Sequence, residues 1–456
     1  MKKFIKKIFE YSLYLFVFLL PLQTCFIIRN SIINGDKWQY GTICFYLTDV
    51  ILIVLLLSGF YNLILKIKER QQIKIKKKWR ITIITILGLF ITYSFISISL
   101  AIDKELAYYS AIKLASAIAL VFIILNTKIN WKKVLIIFII SAVLQAGLGI
   151  WQFLNQETFS NHWLGISSYN PSDVGVSVVQ TIQGRRWLRS YGGFQHPNIF
   201  SGYLSIALLL AIGLYLKIQK STKNYPNLFQ NYFILFNIII LFTGLLTSFS
   251  RASWIATGGA YISILFFKLI KKDKRDLLSL FKIFLIFILI SGIFGFIFKE
   301  AFIARLSINN RLEVKSITER SEYFKQAKDL IKDNWLLGVG IGNYTLANYN
   351  KIGKKYPAWY FQPVHNTYLL IFAELGAIGA TFFLSFFILL FYKSLKLLPK
   401  ILKNNDFTII FFSCLLSLFI MMFFDHWLWS LHFGILLFWL IFGIYLKFLV
   451  ANDKKF

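Results

Sequence analysis

Four residues in this chain, Arg189, Arg251, Arg320 and His365, are of types that together can grip a phosphate-bearing group and move a proton beside it. Arginine presents a flat, permanently charged fork that holds phosphate oxygens two at a time. Imidazole, with an ordinary pKa of about 6.5, accepts a proton from a hydroxyl near neutral pH. The arginines stand out because lysine is the default cation: the chain has 39 lysines and 11 arginines. A position that stays arginine points to a need for the fork.

Each candidate has a local setting and a plainer alternative. Arg251 sits in Thr247-Ser-Phe-Ser-Arg-Ala-Ser253, a short polar link between two apolar runs. A charge there needs water, a headgroup or a partner, so the plainer reading is an arginine reaching up to lipid phosphate. Arg189 precedes Tyr191-Gly-Gly-Phe-Gln-His-Pro-Asn198, where glycines and a proline fix a turn; a simple loop cation is the rival. His365 is in Val364-His-Asn-Thr-Tyr368 at the outer end of a span, where a capping or interface residue is the plainer reading. Glu374 lies nine residues on, within an apolar run, where it acts in the site or holds two helices together by a hydrogen bond. Asp425, His426 and His432 flank the last outer turn and can join the same pocket.

The elements that must position these side chains are membrane spans. With 57% hydrophobic and 15% charged residues, the chain is too apolar for a soluble domain. Apolar runs of about 20 residues, the length that crosses a bilayer, fall near 8–28, 43–65, 81–101, 106–126, 134–154, 196–216, 231–249, 253–270, 281–298, 366–392, 407–425 and 431–450. These predict an all-α, polytopic fold of about 12 transmembrane helices, one integral membrane domain over 1–456. The first run has no small-residue cleavage pattern and reads as a retained span.

Charge orients the spans, because short cytoplasmic loops keep lysine and arginine. The start, every second connection and the tail hold 31 of the 50 basic residues. Both termini are therefore expected in the cytoplasm, with the chain in the cytoplasmic (inner) membrane. Eight of the 11 arginines then fall on the outer face. A net charge of +30 would suggest nucleic acid in a soluble protein; here it reads as a lysine rim against anionic membrane lipids, and no nucleic-acid partner is expected. Cys25, Cys44 and Cys414 have no metal spacing. Cys25 and Cys44 share the outer side, open to a disulfide or to two buried thiols.

Two outer segments exceed simple connectors, 155–195 and 299–364, and function concentrates in such loops. In the second, Ser316-Ile-Thr-Glu319 fits a capping box, with Tyr323, Phe324, Ala327, Leu330 and Ile331 at helical spacing. That predicts a cap helix of roughly 16 residues with Arg320 in its first turn. Gly338-Val-Gly-Ile-Gly342 follows and reads as a flexible turn, since no strand-turn-helix context supports a nucleotide fingerprint. The outer segments contain no Asp-x-Asp pair and no run of His and Cys ligands, so no metal and no cofactor is expected. Arginines facing a bilayer, beside one base, suit group transfer from a lipid-linked pyrophosphate to a hydroxyl.

The same residues resemble the O-antigen ligase and polymerase superfamily of bacterial membrane glycosyltransferases. The resemblance rests on "PN" in Gly193-Phe-Gln-His-Pro-Asn198, "SR" in Ser250-Arg251-Ala-Ser253, the helix from Arg320 to Gly342, and His365-Asn-Thr-Tyr-Leu-Leu-Ile-Phe-Ala-Glu374-Leu-Gly376. It spans roughly 185–445, in the family's motif order; the first 150 residues match only in span count and add nothing to the functional reading. It implies a metal-independent, inverting transferase that moves a glycan from an undecaprenyl pyrophosphate donor to a lipid or glycan acceptor. His365 would be the base, and Arg251, Arg320 and Arg189 would bind the donor pyrophosphate. Asn198, Asn366, Glu374 and Asp425 would support them.

Two other classes compete. A flippase or exporter of lipid-linked glycan needs charges along a path through the membrane, and the middles of spans one to nine hold few, Lys113 and Asp49 being the main exceptions. A non-catalytic envelope-assembly scaffold would use the outer loops only to bind a partner.

Overall fold

The computed structural model describes residues 2–68, 78–221, 228–307, 311–353, 355–404 and 406–453. Much of the lysine-rich stretch after the second span, the connection at 222–227 and the tail at 454–456 lie outside the described residues. The chain is a multi-pass membrane protein: among the described residues, 10 helices are long and apolar enough to cross a bilayer. The remaining two expected spans are helices that fall short of that measure. The first, Lys2–Leu19, carries lysines and a glutamate, and Asp406–Met422 has 17 residues.

The expected end of the first run near residue 28 is corrected. The helix stops at Leu19, ahead of Pro21, and Cys25–Arg29 instead pairs antiparallel with Ile43–Tyr46. Proline cannot continue the hydrogen-bond ladder, and the β-branched residues that follow suit an extended strand. Two further short hairpins, Ile32–Ile33 with Asp36–Lys37 and Val178–Gln180 with Arg186–Leu188, lie in the same kind of connecting segment. The architecture stays all-α with small hairpins at one end.

Burial grades from centre to rim. The helix Pro197–Ser221 is buried throughout its apolar window and His432–Asp453 over 83% of its own, whereas Lys274–Ile297 is 17% buried. A helix apolar all round can face either protein or lipid, and only the packing separates these cases. Serines let the central helices approach closely: Ser205 bonds Ser417 at 3.0 Å and receives the Thr257 hydroxyl at 2.7 Å. Opposite the hairpins, Lys220, Lys268 and Lys271 converge on Asp406, tying three helix ends together.

One helix is broken on purpose of geometry. Thr367–Lys396 contains Gly376 at φ 60°, ψ −169°, a left-handed conformation open mainly to glycine. The backbone groups that the break frees are taken up by the glycine-rich segment: Val339 and Gly340 donate to Ala373 and Glu374 carbonyls at 3.1 and 2.9 Å, and Ala377 donates to Trp335 at 2.8 Å. A Cβ on Gly338 would come within 2.4 Å of the Glu374 carbonyl oxygen, so the two backbones pack with no room for a side chain. The expected flexible turn is therefore a clasp, and it sets the angle of the nine residues that lead back to His365. Gly338→Ala should lower the thermal midpoint of the purified protein, with about 1–3 kcal/mol of strain at the left-handed position. Gly88→Ala, where nothing lies within 4 Å, is the control that should not.

Candidate functional site

The link that follows Leu228–Thr247 leaves helix-end carbonyls without partners, as any helix terminus does. Two arginines take them. Arg189 Nε donates to the Ser248 carbonyl at 2.7 Å, and Arg305 Nε to that of Phe249 at 2.8 Å. Ser190 adds a hydroxyl bond to Thr247 at 2.8 Å, so the segment before the "PN" turn is stitched to the segment before Arg251. Arg189 also donates to Ser177 Oγ at 2.7 Å and Asn198 Oδ1 at 2.8 Å, and it is 5% exposed. Each of its three nitrogens thus has an internal partner, in place of the open anion-binding face expected from its sequence position.

A single helix, Arg311–Asp333, crosses over this link. It begins five residues before the expected capping box, so Ser316 lies inside the helix and Arg320 falls in its third turn. The capping motif is a sequence pattern that a longer helix overrides. Its inward face is as expected: Tyr323, Ala327 and Leu330 are buried. Glu313, seven residues before Arg320, holds two arginines at once, Arg251 Nη2 at 2.7 Å and Arg305. Arg251 is 35% exposed, so part of its fork stays open.

Arg320 is half-buried, and among the described residues it has no hydrogen-bond or ion-pair partner. Its charge reaches both sides of the site. Burial pushes the Arg189 and Arg305 guanidiniums below their ordinary range, and Arg320 adds repulsion to each, against the pull of Glu313. Four guanidiniums around one carboxylate leave a surplus of positive charge beneath the helix. From Glu313 to Tyr323 the helix rises about 15 Å, and the Tyr323 ring lies 6.0 Å from that of His365. Arg251, Arg320 and His365 therefore lie along one strip under one helix.

At the far end of the strip, His365 precedes Asn366, whose side chain caps the helix Thr367–Lys396 by accepting from Leu369 N at 3.0 Å. His365 Nδ1 faces Asp425 Oδ1 at 3.5 Å, long for a direct hydrogen bond; such base-to-orienter contacts often tighten only with substrate bound. Asp425 is held by Asn198 Nδ2 at 2.9 Å and by the His426 backbone N–H at 2.8 Å. Burial alone would raise its pKa, but His365, with His426 and His196 behind it, holds it well below the usual carboxylate range. Burial pushes His426 down to about 3, so that ring is neutral at physiological pH. The chain Arg189–Asn198–Asp425–His365 links the arginine side to the histidine side by three successive contacts.

Glu374 accepts from Trp429 Nε1 at 2.8 Å, the helix-joining hydrogen bond rather than a member of the strip. His432 also stays apart, bonded to Lys113 at 2.9 Å and to Thr48 at 2.8 Å. Sequence reasoning passed over Arg305 and Glu313. Arg305 was visible as one more arginine on the arginine-rich side of a lysine-rich chain; Glu313 had no signal, because its role depends on two partners brought from elsewhere. The expectation of no clustered metal ligands needs correction too. Donor atoms of His365, Asp425 and His426 lie within 4.8 Å of one another, a donor set that suits a divalent ion. Adjacent Asp and His plus a histidine 60 residues earlier form no linear motif. Competing bonds already occupy this set: Asp425 accepts from Asn198 and His426, and His426 Nδ1 bonds Ser430 at 2.7 Å.

Residues 236–384 match the model of a family described as O-antigen ligase, which supports the resemblance to that superfamily. No curated protein matches the chain.

Proposed function

Starting from the O-antigen ligase match over residues 236–384, we propose that this protein transfers a glycan from a lipid-linked pyrophosphate to an acceptor hydroxyl, with both termini in the cytoplasm and the site on the outer face of the inner membrane. The observation that carries the reading is Arg320: a guanidinium with no hydrogen-bond or ion-pair partner among the described residues, on the helix between the Arg251–Glu313–Arg305 cluster and the His365–Asp425 pair. An unpaired charge among like charges is a place for an anion, and a diphosphate supplies one.

The steps follow from that placement. Asp425, ionised, keeps the Nδ1–H tautomer of His365 and stabilises the imidazolium that forms, leaving Nε2 to accept the acceptor's hydroxyl proton. The acceptor oxygen bonds to the anomeric carbon from the side opposite the leaving group, which inverts that centre. The bond from the anomeric carbon to the pyrophosphate oxygen breaks, and its electron pair leaves with the diphosphate. Arg320 and the open part of Arg251 stabilise that charge, while Arg189 positions Asn198 and through it Asp425. Undecaprenyl pyrophosphate is the donor we expect.

Arginines then supply the positive charge that a divalent ion supplies elsewhere. The test is transfer by the purified protein from its producing cell's lipid-linked glycan pool, before and after exhaustive chelation. Retention of most of the rate after EDTA is expected. A rate that collapses and returns with added zinc or magnesium would assign the His365, Asp425 and His426 group to a metal instead.

A further inference from the structure

A cavity of about 510 Å3 adjoins His426, beside His365, and among the described residues no arginine lines it. Its volume falls in the range of about 300–1,000 Å3 typical of small-ligand sites. Tyr40 and Ser430, both in its wall, touch His426: the Tyr40 ring centre lies 5.6 Å from the imidazole, and Ser430 Oγ is 2.7 Å from Nδ1. Pro363, two residues from His365, is also in the wall. The mechanism above uses none of this space.

The lining is aromatic with polar edges: Tyr40, Tyr46, Tyr109, Tyr169, Tyr344 and Trp429. Flat rings with hydrogen-bonding tips suit a molecule with apolar C–H faces and hydroxyl rims. The charged groups inside already have polar partners. Lys113 bonds Asp49 at 2.6 Å and His432 at 2.9 Å, with its ammonium 4.8 Å from the Tyr46 ring centre. Glu374 accepts from Trp429. The remaining cation, Lys37, is exposed at the rim. An anionic ligand would find a counter-charge only in Lys37 at the exposed rim and none in the interior, a desolvation cost that a neutral ligand avoids.

The cavity's provenance adds a separate argument. Most of its wall comes from the segment 25–46, the helix Lys104–Asn126 and the start of the helix His432–Asp453 with the turn before it, all outside the family-matched 236–384. The arginine strip and His365 lie largely within that match. The cavity and the arginine strip are thus built from largely different parts of the chain, which lets one half handle the donor and the other seat the acceptor.

We propose that this cavity seats the acceptor saccharide, and that it takes a sugar without net charge. The proposal rests on the transferase reading and narrows it. The first 150 residues, which carried no functional signal as sequence, then build much of the specificity pocket.

Two native thiols make the test direct. Cys25 and Cys44 line the cavity, while Cys414 is buried in the bundle. Full-length protein in lipid nanodiscs is labelled with a maleimide in the presence of oligosaccharides released from the producing cell's own envelope, split on an anion exchanger into neutral and acidic pools. The neutral pool should slow labelling at least fivefold and the acidic pool should not. Thr42→Phe, which places a ring in the cavity from a half-buried wall position, should raise the acceptor KM more than tenfold with donor affinity within twofold. Protection by the acidic pool, protection by neither, or an unchanged acceptor KM in Thr42→Phe each overturns the proposal. If wild-type protein transfers no glycan at all, the transferase reading fails, while protection by the neutral pool would still place a sugar in the cavity.

Discussion

His365→Ala should reduce glycan transfer by about 100- to 10,000-fold, the range for removing a general base, while the protein still inserts and folds. The side chain is 21% exposed and, at Nδ1, has only the 3.5 Å approach to Asp425, so truncation leaves no buried donor orphaned in the bundle. The helix cap next door belongs to Asn366 and survives the change. Asp425→Asn tests the same base from behind. Its amide cannot keep an ionised partner beside Nδ1, so the rate should fall with donor affinity intact. The measurement is single-turnover transfer at saturating donor, alongside donor binding. A His365→Ala enzyme with the wild-type rate would remove the base from the mechanism.

The second large effect is Arg320→Lys. Losing a preorganised donor to a developing anion typically costs about 100- to 1,000-fold in rate, and lysine's point charge does not replace a two-pronged guanidinium. Arg320 has no hydrogen-bond or ion-pair partner to lose among the described residues, so the substitution should leave the thermal midpoint unchanged. Arg251→Lys should differ on that count. Arg251 also bonds Glu313 at 2.7 Å and the Arg305 carbonyl at 3.3 Å, so its replacement should lower both stability and rate. Equal kinetics for Arg320→Lys and wild type would mean the diphosphate rests elsewhere.

The contrast between these two arginines marks how far sequence reasoning reached. Both were picked out by residue type and by their place in a lysine-rich chain, and both lie on the strip. Nothing in their neighbours along the chain distinguished the free one from the tethered one. Arg189 was chosen on the same grounds, and its three internal bonds give it the part of a brace. Partner assignment needs the third dimension, because Ser248, Ser177 and Asn198 come to Arg189 from separate segments. The capping box at Ser316 shows the reverse limit. A local pattern with real physical content was overruled by a helix that starts at Arg311, since tertiary burial outweighs one cap.

Hydropathy and the lysine pattern were enough to identify a polytopic membrane protein, because span length and apolar composition are local properties that the bilayer itself imposes. Arginine choice and the short motifs were enough to nominate His365, Arg251 and Arg320, since a chemical need is written in residue type. The tertiary structure alone decided the rest. The break at Gly376 is closed by a glycine segment nearly forty residues earlier, and it aims the helix that His365 precedes. Asp425 reaches His365 from 60 residues away, and Lys113 and Asp49, isolated charges in the sequence, become a neutral pair of which the lysine stands in a cavity wall. Such contacts join groups far apart in the chain, and their energies exist only once the backbone has brought them within a few ångströms.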